Sequence, residues 1–202
     1  MIDPAAALRR LQEGNSRFVA NLRSDALTSP VRRAEVADRQ QPFAVILGCS
    51  DARVPAEIVF DQGLGDLFVI RVAGNIVAPS QIGSVEFAVE RFDIHLVVVL
   101  GHSRCGAIDA TLEALTRPEQ AQSRGLRSIV DRVRPSIEGL LHTGLADDRT
   151  ALVQAAVRAN IRASVNQLRH ASESLERLLL AGRLEVVGAE YALDSGQVSF
   201  LG

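Results

Sequence analysis

The sequence predicts an α/β fold: a mostly parallel central sheet covered by helices, with an antiparallel C-terminal edge strand and an N-terminal helical arm. Three observations predict it. Four continuous apolar runs of strand length recur along the 202 residues, the pattern of strands buried on both faces. Helically patterned segments separate them, which indicates parallel strands joined by crossover helices. A turn signal, Asp194-Ser195-Gly196, precedes a last apolar run and suits a strand that folds back on its neighbour.

Each element has its own signal. Asp3-Pro4 reads as an N-cap followed by proline at the first helical position. Leu8, Leu11, Phe18 and Val19 then recur at helical spacing, so an amphipathic helix is expected over 4–22. Residues 23–32, with Ser24, Ser29 and Pro30, read as loop, and a second short helix is expected from Arg32 to Arg39. The strands are expected at Phe43–Cys49, Phe68–Val72, His95–Leu100 and Leu184–Ala189, with Gln197–Leu201 as the returning edge. Helical patterns cover 80–92, 106–116 and one long stretch from about 121 to 180. Pro118, Glu119 and Gln120 mark a surface loop, not a linker. One domain over 1–202 is expected, its helical arm at 1–40 and its α/β core at 41–202.

Composition narrows the class of function. The chain is 47% hydrophobic and 23% charged with a formal net charge of −2, which suits a globular protein and gives no electrostatic reason to expect a nucleic-acid partner. All 22 basic residues are Arg. No apolar stretch approaches the roughly 20 residues of a membrane span, and Met1-Ile2-Asp3-Pro4 lacks a secretory pattern. No membrane partner and a cytoplasmic location are therefore expected. In a reducing cytosol the two cysteines, Cys49 and Cys105, are core residues, redox groups or metal ligands.

Their positions carry the chemistry. Cys49 closes the first apolar run and opens Cys49-Ser50-Asp51-Ala52-Arg53; the third run leads into Gly101-His102-Ser103-Arg104-Cys105-Gly106. Ligands in open parallel sheets bind at the carboxyl ends of strands. His102 and Cys105 are three residues apart on a turn, so both can reach one ion. Two thiolates and one imidazole suit Zn²⁺, with the fourth tetrahedral position left for water. The same residues are equally compatible with two small buried thiols beside a turn histidine, and Asp51 with Arg53 is compatible with an ordinary surface ion pair.

The sequence resembles the β-class carbonic anhydrases over nearly its whole length. The resemblance rests on Leu11–Phe18, Cys49–Arg53, Gly65–Arg71, Ala73-Gly74-Asn75, Ser84–Val89 and Gly101–Ala107, in family order and spacing. It implies zinc-dependent interconversion of carbon dioxide and bicarbonate, with Cys49, His102 and Cys105 as zinc ligands. Asp51 and Arg53 are implied as a hydrogen-bonded catalytic pair beside them. Gln40 matches an amide that reaches substrate, often across a dimer interface. Phe68, Ala73, Phe87 and Gly106 match positions lining the substrate cleft. The first helix matches an arm that wraps a neighbour, so a homodimer or homotetramer is implied. Relatives that hydrolyse carbon disulfide or carbonyl sulfide use the same site, which leaves that activity as the alternative.

The chain departs from the family in three places. Val72 stands where Asn is frequent, and Phe87 where Tyr is frequent. Arg71 and Tyr191 match two residues of a bicarbonate pocket, but Ile46 stands in place of its Trp. An aliphatic side chain removes the indole donor, so strong cooperative inhibition by bicarbonate is not expected. His95, His142 and His170 carry no motif.

Overall fold

The computed structural model describes residues 2–22, 25–117, 119, 123–170 and 172–201. Ser24, Pro118 and Gln120, assigned above to loops, lie outside the described residues. Five strands form one sheet: β1 (Ala44–Gly48), β2 (Leu67–Arg71), β3 (Leu96–His102), β4 (Glu185–Tyr191) and β5 (Val198–Leu201). Their order is β2-β1-β3-β4-β5. The first four are parallel, and β5 pairs antiparallel with β4. The chain leaves β1 towards β2 on one side and returns to place β3 on the other. The strand order therefore reverses between β1 and β3, which opens a crevice at their carboxyl ends.

Alternate residues of β1 and β3 feed two cores. Val45, Leu47, Val97 and Val99 join one face, and Ala44, Ile46, Leu96, Val98 and Leu100 the other. Both sets are fully buried, which is why the runs are continuously apolar and do not alternate. The first face is covered by α4 (Pro79–Phe92), α5 (Gly106–Thr116), α6 (Arg124–Ile137), α7 (Arg149–Arg169) and α8 (Glu173–Leu180). The second is covered by α1 (Pro4–Val19) and the one-turn α3 (Ala56–Val59), which was not expected. Ile46 and Tyr191 are both buried in this second core.

Asp3 caps α1, its Oδ1 accepting from the Ala6 N–H at 2.8 Å. This helix lies on its own chain's sheet: Ala7 and Leu11 are fully buried beside Ile46, Phe60 and Leu100. A Cβ at Gly14 would overlap the Phe60 carbonyl. Next to it, Asn15 Nδ2 donates to the carbonyls of Val59 (3.0 Å) and Gly196 (2.9 Å), and its Oδ1 accepts from the Val198 N–H (2.8 Å). The side chain of Asn15 thereby joins α1, α3 and the hairpin before β5.

Two helix expectations are corrected. The second helix, α2, spans Pro30–Glu35 instead of Arg32–Arg39, because Ser29 caps it and Pro30 occupies its first turn. The expected single stretch over 121–180 is divided into three α-helices, α6, α7 and α8. Pro135 lies in the last turn of α6, two 3₁₀ turns occupy 138–147, and Ser123, Asp148 and Ser172 each cap a new helix. A proline without an N–H, followed by fresh side-chain caps, ends one helix and starts the next. Among the described residues no helix is long and apolar enough to cross a membrane.

α7 sits unusually close to the sheet. A Cβ at Gly101 of β3 would lie 2.6 Å from Ile161 Cδ1, and one at Gly188 of β4 would lie 2.7 Å from Ile161 Cγ2. Two glycines on neighbouring strands thus form the seat for Ile161.

Candidate metal centre

The crevice between β1 and β3 gathers the three ligand candidates. Cys49 follows the last residue of β1, and His102 is the last residue of β3. Cys105 is the N-cap of α5, reached after a tight turn through Arg104, whose φ is 54°. Adjacent strands with Gly48 opposite Leu100 bring together residues 56 apart in sequence: Cys49 Sγ lies 4.0 Å from Cys105 Sγ. All three candidate ligand atoms lie within 4.8 Å of one another. Tetrahedral zinc with Zn–S bonds of about 2.3 Å would separate its sulfurs by about 3.8 Å, so the observed spacing fits such an ion.

The histidine is held ready. His102 Nδ1 lies 2.9 Å from the Ser103 carbonyl, which can only accept, so Nδ1 carries a proton. Its Nε2 is buried with no hydrogen-bond partner among the described residues. A ring nitrogen left bare in a fully buried side chain is costly unless something coordinates it. This orphaned atom, facing two sulfurs, is the strongest local sign of a metal site.

The titration of the trio agrees. The hydrogen bond from Cys105 is the main cause that draws the Cys49 thiol down to about 4, against the effect of burial. The same contact, with burial, pushes Cys105 well above the ordinary thiol range. One proton is therefore shared between two sulfurs that cannot both ionise without a cation beside them. Burial opposes charge on His102, but the attraction of the neighbouring Cys49 sulfur, with the Ser103 carbonyl, outweighs it and raises its pKa.

Asp51 and Arg53 form the expected pair. Asp51 Oδ1 accepts from the Arg53 N–H (3.0 Å) and from its Nε (2.9 Å), while Oδ2 accepts from Nη2 (2.7 Å). These bonds hold the Asp51 carboxyl well below the usual carboxylate range, against partial desolvation. The paired carboxylate remains close to the trio, with Oδ2 3.8 Å from His102 Nε2. Arg53 Nη2 also donates to the Arg104 carbonyl, at 3.3 Å, which ties the two ligand-bearing loops together.

The other anticipated residues divide into two groups. Ala73 and Gly106 are at this centre: Ala73 opens the turn whose Gly74 N–H donates to Cys49 Sγ at 3.3 Å, and Gly106 is exposed beside Cys105. Gln40, Phe68 and Phe87 are not. Gln40 precedes β1 at the opposite end of the sheet from Cys49 and lines a cavity of about 640 Å³ with Arg10, Phe43 and Phe92. Phe68 is level with Val45, four residues before Cys49, or about 13 Å along the strand. Phe68, Phe87 and Phe92 stack as a triangle with centroids 5.9 to 6.1 Å apart, and Phe87 is 55% exposed.

Sequence reasoning missed two contributors. The Gly74 N–H is a backbone group with no side-chain signature. Arg71 was read as part of an anion pocket, but its Nε and Nη2 donate to the carbonyls of Cys49 (3.2 Å) and Asp51 (2.7 Å). It braces the loop that carries both residues.

Comparison with known proteins assigns the family. The sequence profile of the carbonic anhydrase family matches residues 44–198. A carbonic anhydrase of Mycolicibacterium smegmatis is 42% identical over 97% of this chain and 92% of its own length. Carbonic anhydrase 2 of Mycobacterium tuberculosis is 40% identical over 96% and 91%. The structure of a Coccomyxa β-carbonic anhydrase in complex with acetazolamide superposes with a TM-score of 0.72 at 28% identity, covering 100% of this chain and 87% of that one. With the trio of Cys49, His102 and Cys105 at the sheet's switch point, these matches make the chain an enzyme of the β-class carbonic anhydrase family.

Proposed function

We propose that the enzyme hydrates carbon dioxide to bicarbonate with a zinc ion held by Cys49, His102 and Cys105, assisted by Asp51 and Arg53. The observation that carries this reading is the buried, unpartnered His102 Nε2 facing two sulfurs 4.0 Å apart. Zinc, when bound, supplies Lewis acidity that lowers the pKa of a water molecule from about 15.7 towards about 7, giving a nucleophile at neutral pH.

The chain's own residues do the rest. Asp51, kept ionised by Arg53, accepts a hydrogen bond from the attacking water and so aims its lone pair at carbon. Arg53 holds the carboxylate by two hydrogen bonds and so keeps it from closing further on the trio. Ala73 and Gly106 leave room for a small apolar substrate beside Cys49 and Cys105. The hydration rate should fall to background when a chelator removes the metal and return when zinc alone is restored. Turnover of carbonyl sulfide or carbon disulfide exceeding that of carbon dioxide would overturn the substrate assignment. Full hydration activity in metal-free protein would overturn the metal assignment.

We further propose that the working enzyme is a homodimer or a homotetramer, in the cytoplasm. Gln40, Phe68 and Phe87 share one region of the surface around Phe92, remote from their own chain's trio. They would reach substrate in a neighbour's centre. Removing residues 1–22 is a poor test, since it also takes the core residues Ala7 and Leu11. Complementation is a sharper one. Gln40→Ala should retain its metal and lose roughly 2- to 10-fold in kcat/KM, the value of one hydrogen bond. Mixed assemblies of Gln40→Ala and Cys105→Ala chains should contain sites with an intact trio and an intact partner Gln40, and so recover activity per intact trio. No recovery on mixing, or a fully active monomer in sedimentation, would show that Gln40 acts within its own chain or not at all.

A further inference from the structure

α7 buries two polar side chains on an otherwise apolar face. Asn160 and Ser164, one turn apart, are 3% and 4% exposed among Val157, Ile161, Val165 and Leu168. Helix-on-sheet packing needs neither of them, and each would be costly without a partner. Both have one, and both partners belong to the same turn. Asn160 Nδ2 donates to the Gly74 carbonyl at 2.8 Å, and Ser164 Oγ donates to the Asn75 carbonyl at 3.1 Å.

That turn requires holding. Gly74 and Asn75 are left-handed in succession, with φ of 69° and 43°, and a glycine resists few alternatives to such a conformation. The Gly74 N–H is the group that donates to Cys49 Sγ. Its direction depends on the peptide planes that follow, and α7 grips two of them. The height of α7 is itself set by Ile161, seated on Gly101 and Gly188. A continuous set of contacts thus runs from the sheet, through α7, to one sulfur of the trio.

The geometry points to Asn160 as a positioning residue for the metal centre: through Gly74 it aims the N–H that Cys49 Sγ accepts, with Ser164 in support. This inference rests on the zinc reading above. An amide aimed at the sulfur fixes its lone-pair direction and withdraws some of the charge it would give a metal. Groups that orient metal ligands in this way are commonly worth about 10- to 100-fold in metal affinity.

The test compares wild type with Asn160→Ala, Ser164→Ala and Val157→Ala, the last a buried truncation on the same helix face whose side chain can form no hydrogen bond to the turn. Zinc affinity is measured by competition with a chromophoric chelator. The thiolate-to-metal charge-transfer band is recorded after cobalt substitution, and thermal melting is followed in parallel. Asn160→Ala should weaken zinc about 10- to 100-fold and shift the cobalt band. Ser164→Ala should do both in the same direction and to a smaller extent, while Val157→Ala should lower the melting temperature alone. An Asn160→Ala protein that melts early but binds zinc and absorbs like wild type would reduce the residue to a structural role. If Asn160→Ala does not fold, Ser164→Ala decides, and an unchanged band and affinity there overturn the inference. Wild type that takes up neither metal overturns the zinc reading and this inference together, whereas normal uptake with unaltered variants overturns this inference alone.

Discussion

Cys105→Ala should abolish both metal retention and turnover while leaving the protein folded. The sulfur is one of three ligand atoms gathered within 4.8 Å, and two ligands hold zinc far less firmly than three. If structural zinc sites bind with about 10–16 kcal/mol through four ligands, losing one should weaken affinity on the order of 10²-fold or more. Activity should fall by at least about 10³-fold, because water without the ion returns towards a pKa of about 15.7. The fold should survive for a local reason. Cys105 starts α5 through its carbonyl, which accepts from the N–H groups of Ile108 (3.0 Å) and Asp109 (3.1 Å) and is kept in the variant. Metal analysis should fall from one zinc per chain to a small fraction, with an unchanged circular dichroism spectrum. A variant that retained zinc at wild-type stoichiometry would show that the trio is misassigned.

The second large effect is expected at Asp51. Asp51→Ala should lower kcat/KM by about 10²- to 10⁴-fold, the usual span for a positioned group that handles a proton, with zinc content unchanged. Arg53→Ala should cost a comparable amount although it deletes no carboxylate. Without its two-pronged partner, Asp51 is free to turn towards the trio, whose His102 Nε2 is already 3.8 Å from Oδ2. If Arg53 acts through Asp51, the double variant should be no slower than Asp51→Ala alone, since residues that work as a unit are not additive. Additive losses would separate their roles.

Acidity gives a further check on the pair. The Asp51 carboxyl is held below its ordinary value, first by the hydrogen bonds from Arg53. Its contribution to stability is therefore present above the unfolded-state pKa of about 3.9 and is lost as pH falls through the lower folded value. The rate profile of wild type should accordingly show no limb from Asp51 above about pH 4.

The sheet was legible in the sequence because its two central strands, β1 and β3, are buried on both faces, which leaves little room for a polar residue in Ala44–Leu47 or Leu96–Leu100. The start of α1 was legible where a cap meets a proline, at Asp3-Pro4, whereas the same signal at Ser29-Pro30 was hidden in a segment that reads as loop. The division of 124–180 was not foreseen, although Ser123, Asp148 and Ser172 are ordinary caps. Serines and aspartates are common on helix surfaces, and only the broken apolar pattern around Pro135 distinguishes these. At the metal centre, the spacing of His102 and Cys105 was readable, but their meeting with Cys49 depends on β3 lying beside β1. Strand order is a tertiary fact, and only the family resemblance supplied it in advance. The same limit hid the separation of Phe68 and Phe87 from the trio of their own chain.

Asn15 gives the fold an order of events. Its amide is satisfied by Gly196 and Val198, 181 and 183 residues later in the chain. At about 5–20 residues per second, a ribosome needs roughly 10–40 s to make that interval. Throughout it, the apolar side of α1 with Leu11 has no completed surface to settle on, and the buried position of Asn15 has no acceptors or donor from the final hairpin. Closure of the first helix on the sheet is thus a late, long-range step, the kind that slows folding. The nascent chain carries α1 without its full cover until the hairpin before β5 emerges, and that interval is when a chaperone would matter most to this enzyme.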